Sequence, residues 1–504
     1  MIRGTGKDIV IAPPQHDLRS IRIGELDLAL ERDPDDIAAL SERAGLLREE
    51  GRFEEAKRDY LDLIRRQATD FATLNDFGTL VLNAGYREAA RSLFGEAVRH
   101  HPGNPNGHVN LANLLLLLGE RTQARLHFEA ALRADPDHIH AHRGMGNLLA
   151  AIGDETGARR HRDRGFRDNF LTALDYRGEG QGIAVLLLVA AAGGNIPVQS
   201  LLDDRYFRTT VLVTEYYDPK IPLPPHDIVF NSIGDADLCG EGLEAASTLI
   251  ARTGRPVINH PAHVLKTGRA ANAERLRGLP NVIVPRMLRL PRRVLAASDS
   301  AQAVSSNGFT FPLLVRAPGF HTGHHFARVA APDALAAAIA DFPSEDVWLI
   351  EQLDARDGEG MFRKFRVMFV DGRLYPLHLA ISPDWKVHYF TADMAQSDAN
   401  RRRDAEFLAD MASVIGPRGV AALERINSTL GLDYGGIDFA VNGAGDILFF
   451  EANATMVVMP PSHDHKWAYR RPAFASVYSA VHTMLTNRSR ADSVAQPRAS
   501  KFLR

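Results

Sequence analysis

Cysteine is all but missing from this chain. Cys239 is the single one in 504 residues, which excludes an internal disulfide framework and suits a reducing compartment. No sign of charge dominates either. Lys and Arg number 59 against 62 Asp and Glu, and a net charge of -3 gives no reason to expect nucleic acid or a membrane surface as a bulk electrostatic partner. Long hydrophobic runs are lacking too. The longest, residues 183–192, is about half of what a membrane-spanning helix needs, so it reads as a buried strand. Residues 1–8 carry no apolar segment of the secretory kind, and a cytoplasmic location is the expectation. What is present, 45% hydrophobic and 24% charged residues, is the composition of a globular chain with room for two to four domains.

A lattice of 34 residues fills the first third. Gly51, Gly85, Gly119 and Gly153 lie on it, as do Ala56, Ala90, Ala124 and Ala158, with Tyr60, Phe94 and Phe128 four residues after the first three alanines. Pro34, Pro102 and Pro136 share the period, with Ala68 in the remaining proline slot. Small residues where paired helices cross, an aromatic to fill the gap and a proline to end the second helix are the signature of tetratricopeptide repeats. The residues before Pro34 read as an unpaired half repeat. In the last repeat Arg162 takes the aromatic slot and Gly165 the place of Ala131, as expected of an end cap facing water. Such a superhelix suits either a platform for a peptide or protein, or a spacer or dimerisation element. His138, His140 and His142 fall at a repeat junction and read as solvated side chains rather than metal ligands.

Gly178-Glu-Gly-Gln-Gly182 breaks the pattern and marks a boundary. Apolar strands are then expected at 183–189, 209–214, 227–230 and 256–259, alternating with helices, which implies a parallel sheet covered on both faces. Gly193-Gly194 is not a dinucleotide fingerprint.

Residues 436–453 read Gly-Ile-Asp-Phe-Ala-Val-Asn-Gly-Ala-Gly-Asp-Ile-Leu-Phe-Phe-Glu-Ala-Asn. Two apolar runs flank turn residues, so a hairpin is expected, with Asp438 close to opposite Glu451, give or take one register position. Glu451 and Asn453 are two apart and share a face of their strand. Three hard oxygen donors at one spot suit Mg²⁺ carrying a nucleotide phosphate; taken alone, the residues also suit an ordinary hairpin with a polar rim.

Three further segments stand in order before it: Phe311-Pro-Leu-Leu-Val-Arg316-Ala-Pro-Gly-Phe-His-Thr-Gly323, Val347-Trp-Leu-Ile-Glu351-Gln-Leu353 and Phe365-Arg366-Val-Met-Phe-Val-Asp-Gly-Arg373. Together the four motifs resemble the ATP-grasp superfamily of carboxylate-activating ligases, over roughly residues 182–480. The resemblance implies Asp438, Glu451 and Asn453 as ligands of Mg²⁺ or Mn²⁺. It implies Arg316 as a phosphate ligand, where relatives carry lysine, with Gly319, His321 and Gly323 in the phosphate loop. Adenine would lie along Glu351 to Leu353. Lys266 and Arg269 are candidates for the phosphates, with plain surface charge the alternative. Arg366 and Lys386 would steady the transferring phosphate, joined by His388; the role of Lys364 stays open, because the family's preceding Asp is missing.

The implied architecture is multidomain: an N-terminal segment (1–17), an all-α tetratricopeptide superhelix (18–175), an α/β pre-ATP-grasp domain (182–290), an α+β ATP-grasp domain (291–486) and a disordered tail (487–504). The implied activity is ATP-dependent ligation through an acylphosphate, with ADP and phosphate released and the repeats docking a partner. An ATP-grasp kinase is one alternative, and a repeat scaffold with a nucleotide-sensing domain another.

Overall fold

The computed structural model describes residues 15–495 apart from 67–68, 199, 320–322, 324, 388–391, 393 and 462–463. The described residues form two compact units that divide between Asn169 and Phe170. No described helix is long and apolar enough to cross a membrane.

Among the described residues the first unit is all helix. After α1 (Gln15–Arg32) come four antiparallel pairs: α2 (Ile37–Glu49) with α3 (Phe53–Arg65), α4 (Phe71–Asn83) with α5 (Arg87–His100), α6 (Pro105–Leu117) with α7 (Arg121–Ala134), and α8 (Ile139–Ala151) with α9 (Glu155–Phe166). The lattice residues explain the pairing. Gly51, Gly85, Gly119 and Gly153 each turn the chain with φ between 76° and 88°, a region that costs other residues energy. The four lattice alanines are fully buried, and Tyr60, Phe94 and Phe128 fill the space between helices. Two expectations change here. Arg162 does not face water; it is buried, with its guanidinium on Glu155 at 2.7 Å, because the long side chain folds back over α9. His142 is not solvated. It is 2% exposed, meets His161 Nδ1 to Nδ1 at 2.8 Å and reaches the Pro136 carbonyl at 2.9 Å. One repeat earlier His108 does the same with His127 and Pro102, at 3.0 Å each.

Among the described residues the second unit holds three sheets. β1 (Leu171–Ala173), β2 (Ile183–Val189), β3 (Phe207–Val213), β4 (Ile228–Asn231) and β5 (Val257–Ile258) form the first, in the order β1-β3-β2-β4-β5. Its strands from β3 to β5 are parallel, and β1 adds antiparallel to β3, drawing residues 171–173 into this sheet rather than the repeats. β6 (Val282–Ile283) and β7 (Met287–Pro291) follow, then β8 (Leu313–Arg316), β9 (Phe326–Val329) and β10 (Asp346–Glu351). The second sheet, β7-β10-β8-β9, is antiparallel and has its own apolar core around Val315, Val347 and Leu349. β11 (Phe362–Val370), β12 (Arg373–Ser382), β13 (Tyr434–Val441) and β14 (Ile447–Asn453) form the third with β6, in the order β12-β11-β13-β14-β6. This sheet shares one continuous core with the first. The last helix, Arg471–Ala495, continues past residue 487, where composition places the start of the tail; residues 1–14 and 496–504 lie outside the described residues.

Candidate functional site

The hairpin of β13 and β14 sets Asp438 opposite Glu451 and Gly436 opposite Asn453, with a shift of register just after Asp438. On the other flank β11 sets Arg366 opposite Asp438. Paired residues on neighbouring strands share a face, so Arg366, Asp438 and Glu451 stand in one row. Arg366 donates through Nε and Nη2 to the two Asp438 oxygens at 2.6 and 2.8 Å. Lys364, two residues earlier on the same face, places Nζ 3.0 Å from Oδ2. Burial alone would raise the Asp438 pKa, but Arg366 and Lys364 outweigh it and hold the carboxyl well below the usual carboxylate range. Glu451 accepts a hydrogen bond from Arg269 Nη2 at 2.7 Å. Burial and Asp438 push its pKa up, Arg269 and Arg316 push it down, and the cations prevail.

The second sheet contributes a different row. Arg289 on β7 pairs with Trp348 on β10, Trp348 with Arg316 on β8, and Arg316 with Phe326 on β9. Cation and aromatic alternate across four strands. The Arg316 guanidinium lies 5.3 Å from the Phe326 ring centre, and Trp385 meets that ring edge-on. Burial and the neighbouring Arg269 lower the Arg316 pKa to about 10, still far above neutrality.

Two adjoining cavities open among these groups. One, of about 400 Å³ including its open mouth, is lined by Asp235, Asp237, Arg269, Asn272, Glu451 and Asn453 among others. The other, of about 520 Å³, is lined by Asp237, Arg269, Arg289, Arg316, Gly319 and Trp348 with Ala317 and Pro318. Asp237 and Arg269 belong to both.

Of the residues singled out from sequence, Asp438, Glu451, Arg366, Arg269, Arg316, Gly319 and Asn453 come together here. Asn453 uses its amide oxygen on the backbone N–H and hydroxyl of Thr455, at 2.9 and 2.8 Å. Lys386 lies against the glycine loop: its Nζ donates to the Gly323 carbonyl at 2.6 Å, and a Cβ added at Gly323 would meet its Cε. Three residues stand apart and line neither cavity. Lys266 is exposed on a short turn, the Glu351 carboxylate accepts the Arg286 backbone N–H at 2.9 Å, and Leu353 packs in a small apolar cluster with Ala355 and Leu448. His321 and His388 lie outside the described residues.

Sequence reasoning missed Asp235, Asp237, Asn272, Arg289 and Trp348, and left Lys364 open. One signal for the aspartates was available. The chain leaves β2 toward β3 on one side and β4 toward β5 on the other, so the segment after β4 borders a topological switch point, where ligands sit in parallel sheets. Arg289 and Trp348 had no such signal, since their alignment with Arg316 depends on the pairing of strands far apart in sequence.

Residues 82–148 match the family model of the tetratricopeptide repeat, and the helical pairs of the first unit are such repeats. Solved structures that resemble the chain do so over about 30% of its length. MamA of Desulfovibrio magneticus RS-1 is 14% identical over 31% of this chain and 96% of its own, with a TM-score of 0.27. A tetratricopeptide protein of Thermus thermophilus is 20% identical over 30% of this chain and 83% of its own, TM-score 0.26. YrrB, described as a repeat protein with an unusual peptide-binding site, is 18% identical over 30% of this chain and 78% of its own, TM-score 0.27. No curated protein matches the chain.

Proposed function

We propose that the second unit is an ATP-grasp ligase. It phosphorylates a substrate carboxylate with ATP, a nucleophile displaces phosphate from the acylphosphate, and the tetratricopeptide repeats dock the peptide or protein that carries or accompanies the substrate. The observation that carries this reading is the in-register pair Asp438 and Glu451, enclosed by Lys364, Arg366, Arg269 and Arg316. Four cations around two carboxylates leave the cluster net positive, which suits a triphosphate accompanied by a divalent metal and is unfavourable for a bare metal ion.

The donor chemistry fits Mg²⁺ or Mn²⁺ with one adjustment. Among the described residues Glu451 leaves Oε1 without a hydrogen bond and is part-exposed, and Asp438 stands directly opposite. Asn453 already offers its oxygen to Thr455, and Asp438 both of its oxygens to Arg366 and Lys364, so Glu451 would be the first ligand of the ion and Asp438 would join it through a remaining lone pair, with phosphate oxygens and water as further donors. The metal would supply charge neutralisation between the β- and γ-phosphates. Arg316 and Arg269 would orient phosphate oxygens, and their planar guanidinium groups can each grip two of them. Arg366, held by Asp438, would face charge developing on the transferring phosphoryl group. Trp348, which lines the second cavity, would offer the nucleotide an aromatic face.

Glu451→Gln tests the reading. It keeps the shape and removes the charge, so binding of a fluorescent ATP analogue should weaken modestly, while ADP release in the presence of substrate falls by roughly three orders of magnitude or more. Product analysis separates ligase from kinase, since only the ligase joins two substrates. Near-normal ADP release by Glu451→Gln would remove the metal-centred site.

A further inference from the structure

The two helices of each repeat differ in composition as well as in place. Successive first helices touch, α2 on α4, α4 on α6 and α6 on α8, while successive second helices do not approach as closely. Elements on the inside of a bend stand closer together, so the first helices line the concave side of the repeats. On α4, α6 and α8 the only Asp, Glu, Lys or Arg are Asp76 and Arg143, whereas α5, α7 and α9 carry four to six each. Both of those charges are engaged. Arg143 donates to the Gly165 and Asn169 carbonyls at 3.0 and 2.7 Å, and Asp76 meets Arg48 at 3.2 Å.

Asparagine has the reverse distribution. Asn75, Asn83, Asn106, Asn110, Asn113 and Asn147 lie on α4, α6 and α8, and α3, α5, α7 and α9 contain none. Asparagine inside a helix is unfavourable for the helix itself, because its amide competes for nearby backbone groups, so helix stability does not account for the pattern. Thr79, Asn113 and Asn147 are 34 residues apart, the repeat period, and occupy one slot in successive helices. Asn113 and Asn147 are exposed, and neither side chain makes a hydrogen bond among the described residues. Three residues further on, and so beside them on the same face, runs a partly buried apolar slot of Leu82, Leu116 and Ala150. The Asn110 amide reaches Asn75 Oδ1 at 2.6 Å, which puts amides of neighbouring repeats within hydrogen-bond reach of one another.

We propose that this concave face binds an extended peptide by its main chain. Asn113 and Asn147 each donate to a peptide carbonyl and accept from a peptide N–H, while uncharged side chains of the peptide rest on Leu82, Leu116 and Ala150. The proposal rests on the docking half of the functional reading and not on the ligase half. A side-chain amide carries one acceptor and two donors, the complement of a peptide unit. Packed helices lie about 8–10 Å apart, and an extended chain of the polyproline type advances about 9.3 Å in three residues. One asparagine therefore meets every third residue of the peptide. A phosphopeptide or nucleic acid would need free cations, which this face lacks.

The test uses the full-length protein and four capped dodecamers followed by isothermal titration calorimetry: repeats of Ser-Ala-Val, of Lys-Ala-Val, of Glu-Ala-Val, and proline alone. The Ser-Ala-Val peptide should bind best. The proline peptide keeps the extended shape but has no N–H, and should bind roughly tenfold or more weakly. Asn113→Ala and Asn147→Ala should each weaken the Ser-Ala-Val peptide by about fivefold to tenfold, the scale of one or two lost hydrogen bonds. Any charged peptide that binds should lose the same factor, since the main chain is common to all. The melting temperature of both variants should hold or rise, because alanine is the better helix former, whereas a structural role for the amides would lower it. Unchanged affinity in both variants, equal binding of the proline peptide, or preference for the Lys or Glu peptide overturns main-chain recognition and leaves docking by the repeats in place. Failure of all four peptides to bind removes main-chain recognition and the docking reading together. A concentration-dependent dimer that Asn113→Ala dissociates, seen by analytical ultracentrifugation, would give the face to a second copy of the chain and overturn the peptide site.

Discussion

Replacing Asp438 with Asn tests how the centre of the site is held. Asp438 is 2% exposed and is the shared partner of Arg366 and Lys364, whose side chains are themselves largely buried. An amide can accept one hydrogen bond from Arg366, but it supplies no charge and turns an N–H toward a guanidinium. Two buried cations are then left uncompensated, and removing one partner of a buried ion pair costs about 3–5 kcal/mol. All three tryptophans, Trp348, Trp385 and Trp467, lie in the second unit, so intrinsic fluorescence follows its unfolding separately from the repeats. With a urea slope of about 3 kcal/mol per molar, the midpoint should fall by roughly 1 M or more. Adding Arg366→Gln to Asp438→Asn should cost far less than the sum of the single changes, since the second removes a charge the first stranded. The pH dependence has a definite sign. The folded Asp438 pKa is lowered, so its contribution is fully present above the unfolded value near 4 and is lost only as pH falls toward the folded value. Asp438→Asn should therefore be as damaging at pH 5 as at pH 8. A cost under 1 kcal/mol, or a double variant worse than the sum, would refute this account of the ion cluster.

Asp404, fully buried beneath β12, accepts the Leu379 N–H and the Tyr469 hydroxyl, and burial lifts its pKa to about 6. The folded state then holds a proton that the unfolded chain releases near 4, so stability falls as pH rises from about 4 to about 6, by up to about 3 kcal/mol; Asp404→Asn, checked by urea midpoints at pH 4.5 and 7, should flatten that slope. In the repeats, a Cβ at Gly78 would lie 2.6 Å from Phe94 Cε1, whereas Gly45 faces open space. Gly78→Ala should destabilise by about 1–2 kcal/mol after its gain in helix propensity, and Gly45→Ala should stabilise by up to about 1 kcal/mol, read from thermal melts by circular dichroism. Burial first, then the facing histidines His108 and His142, lowers the pKa of His127 and His161; Arg160 and Arg164 act the same way on His161, and Asp154 opposes them. The repeats should lose stability as pH falls below about 6.5, with faster hydrogen exchange in α6–α9 after correction for intrinsic rates, and equal protection at pH 5 and pH 7.5 would contradict this.

Periodicity made the first unit legible. A lattice of glycine, alanine and aromatic residues states its own helix pairing, since each repeat packs on its neighbour and no distant contact is required. Two histidine pairs escaped because their partners lie 19 residues apart on antiparallel helices, a relation that no local window contains. The hairpin of β13 and β14 was legible for the same reason as the repeats. Its turn residues fix which positions face each other, and Asp438 does stand opposite Glu451.

By itself the sequence determined the elements whose partners are close in the chain: the helix pairs, the apolar strands and the face shared by Asp438 and Glu451. Tertiary structure alone decided what surrounds that face. Asn272 is 180 residues from Ala452, whose carbonyl it binds, and Arg269 is 182 residues from Glu451. Arg289, Trp348 and Arg316 align only because β10 lies between β7 and β8. Such distances are bridged by burying sheets built from distant segments, and the free energy that selects the arrangement comes from the core shared by the first and third sheets and from the separate core of the second, rather than from any local preference of the residues they bring together.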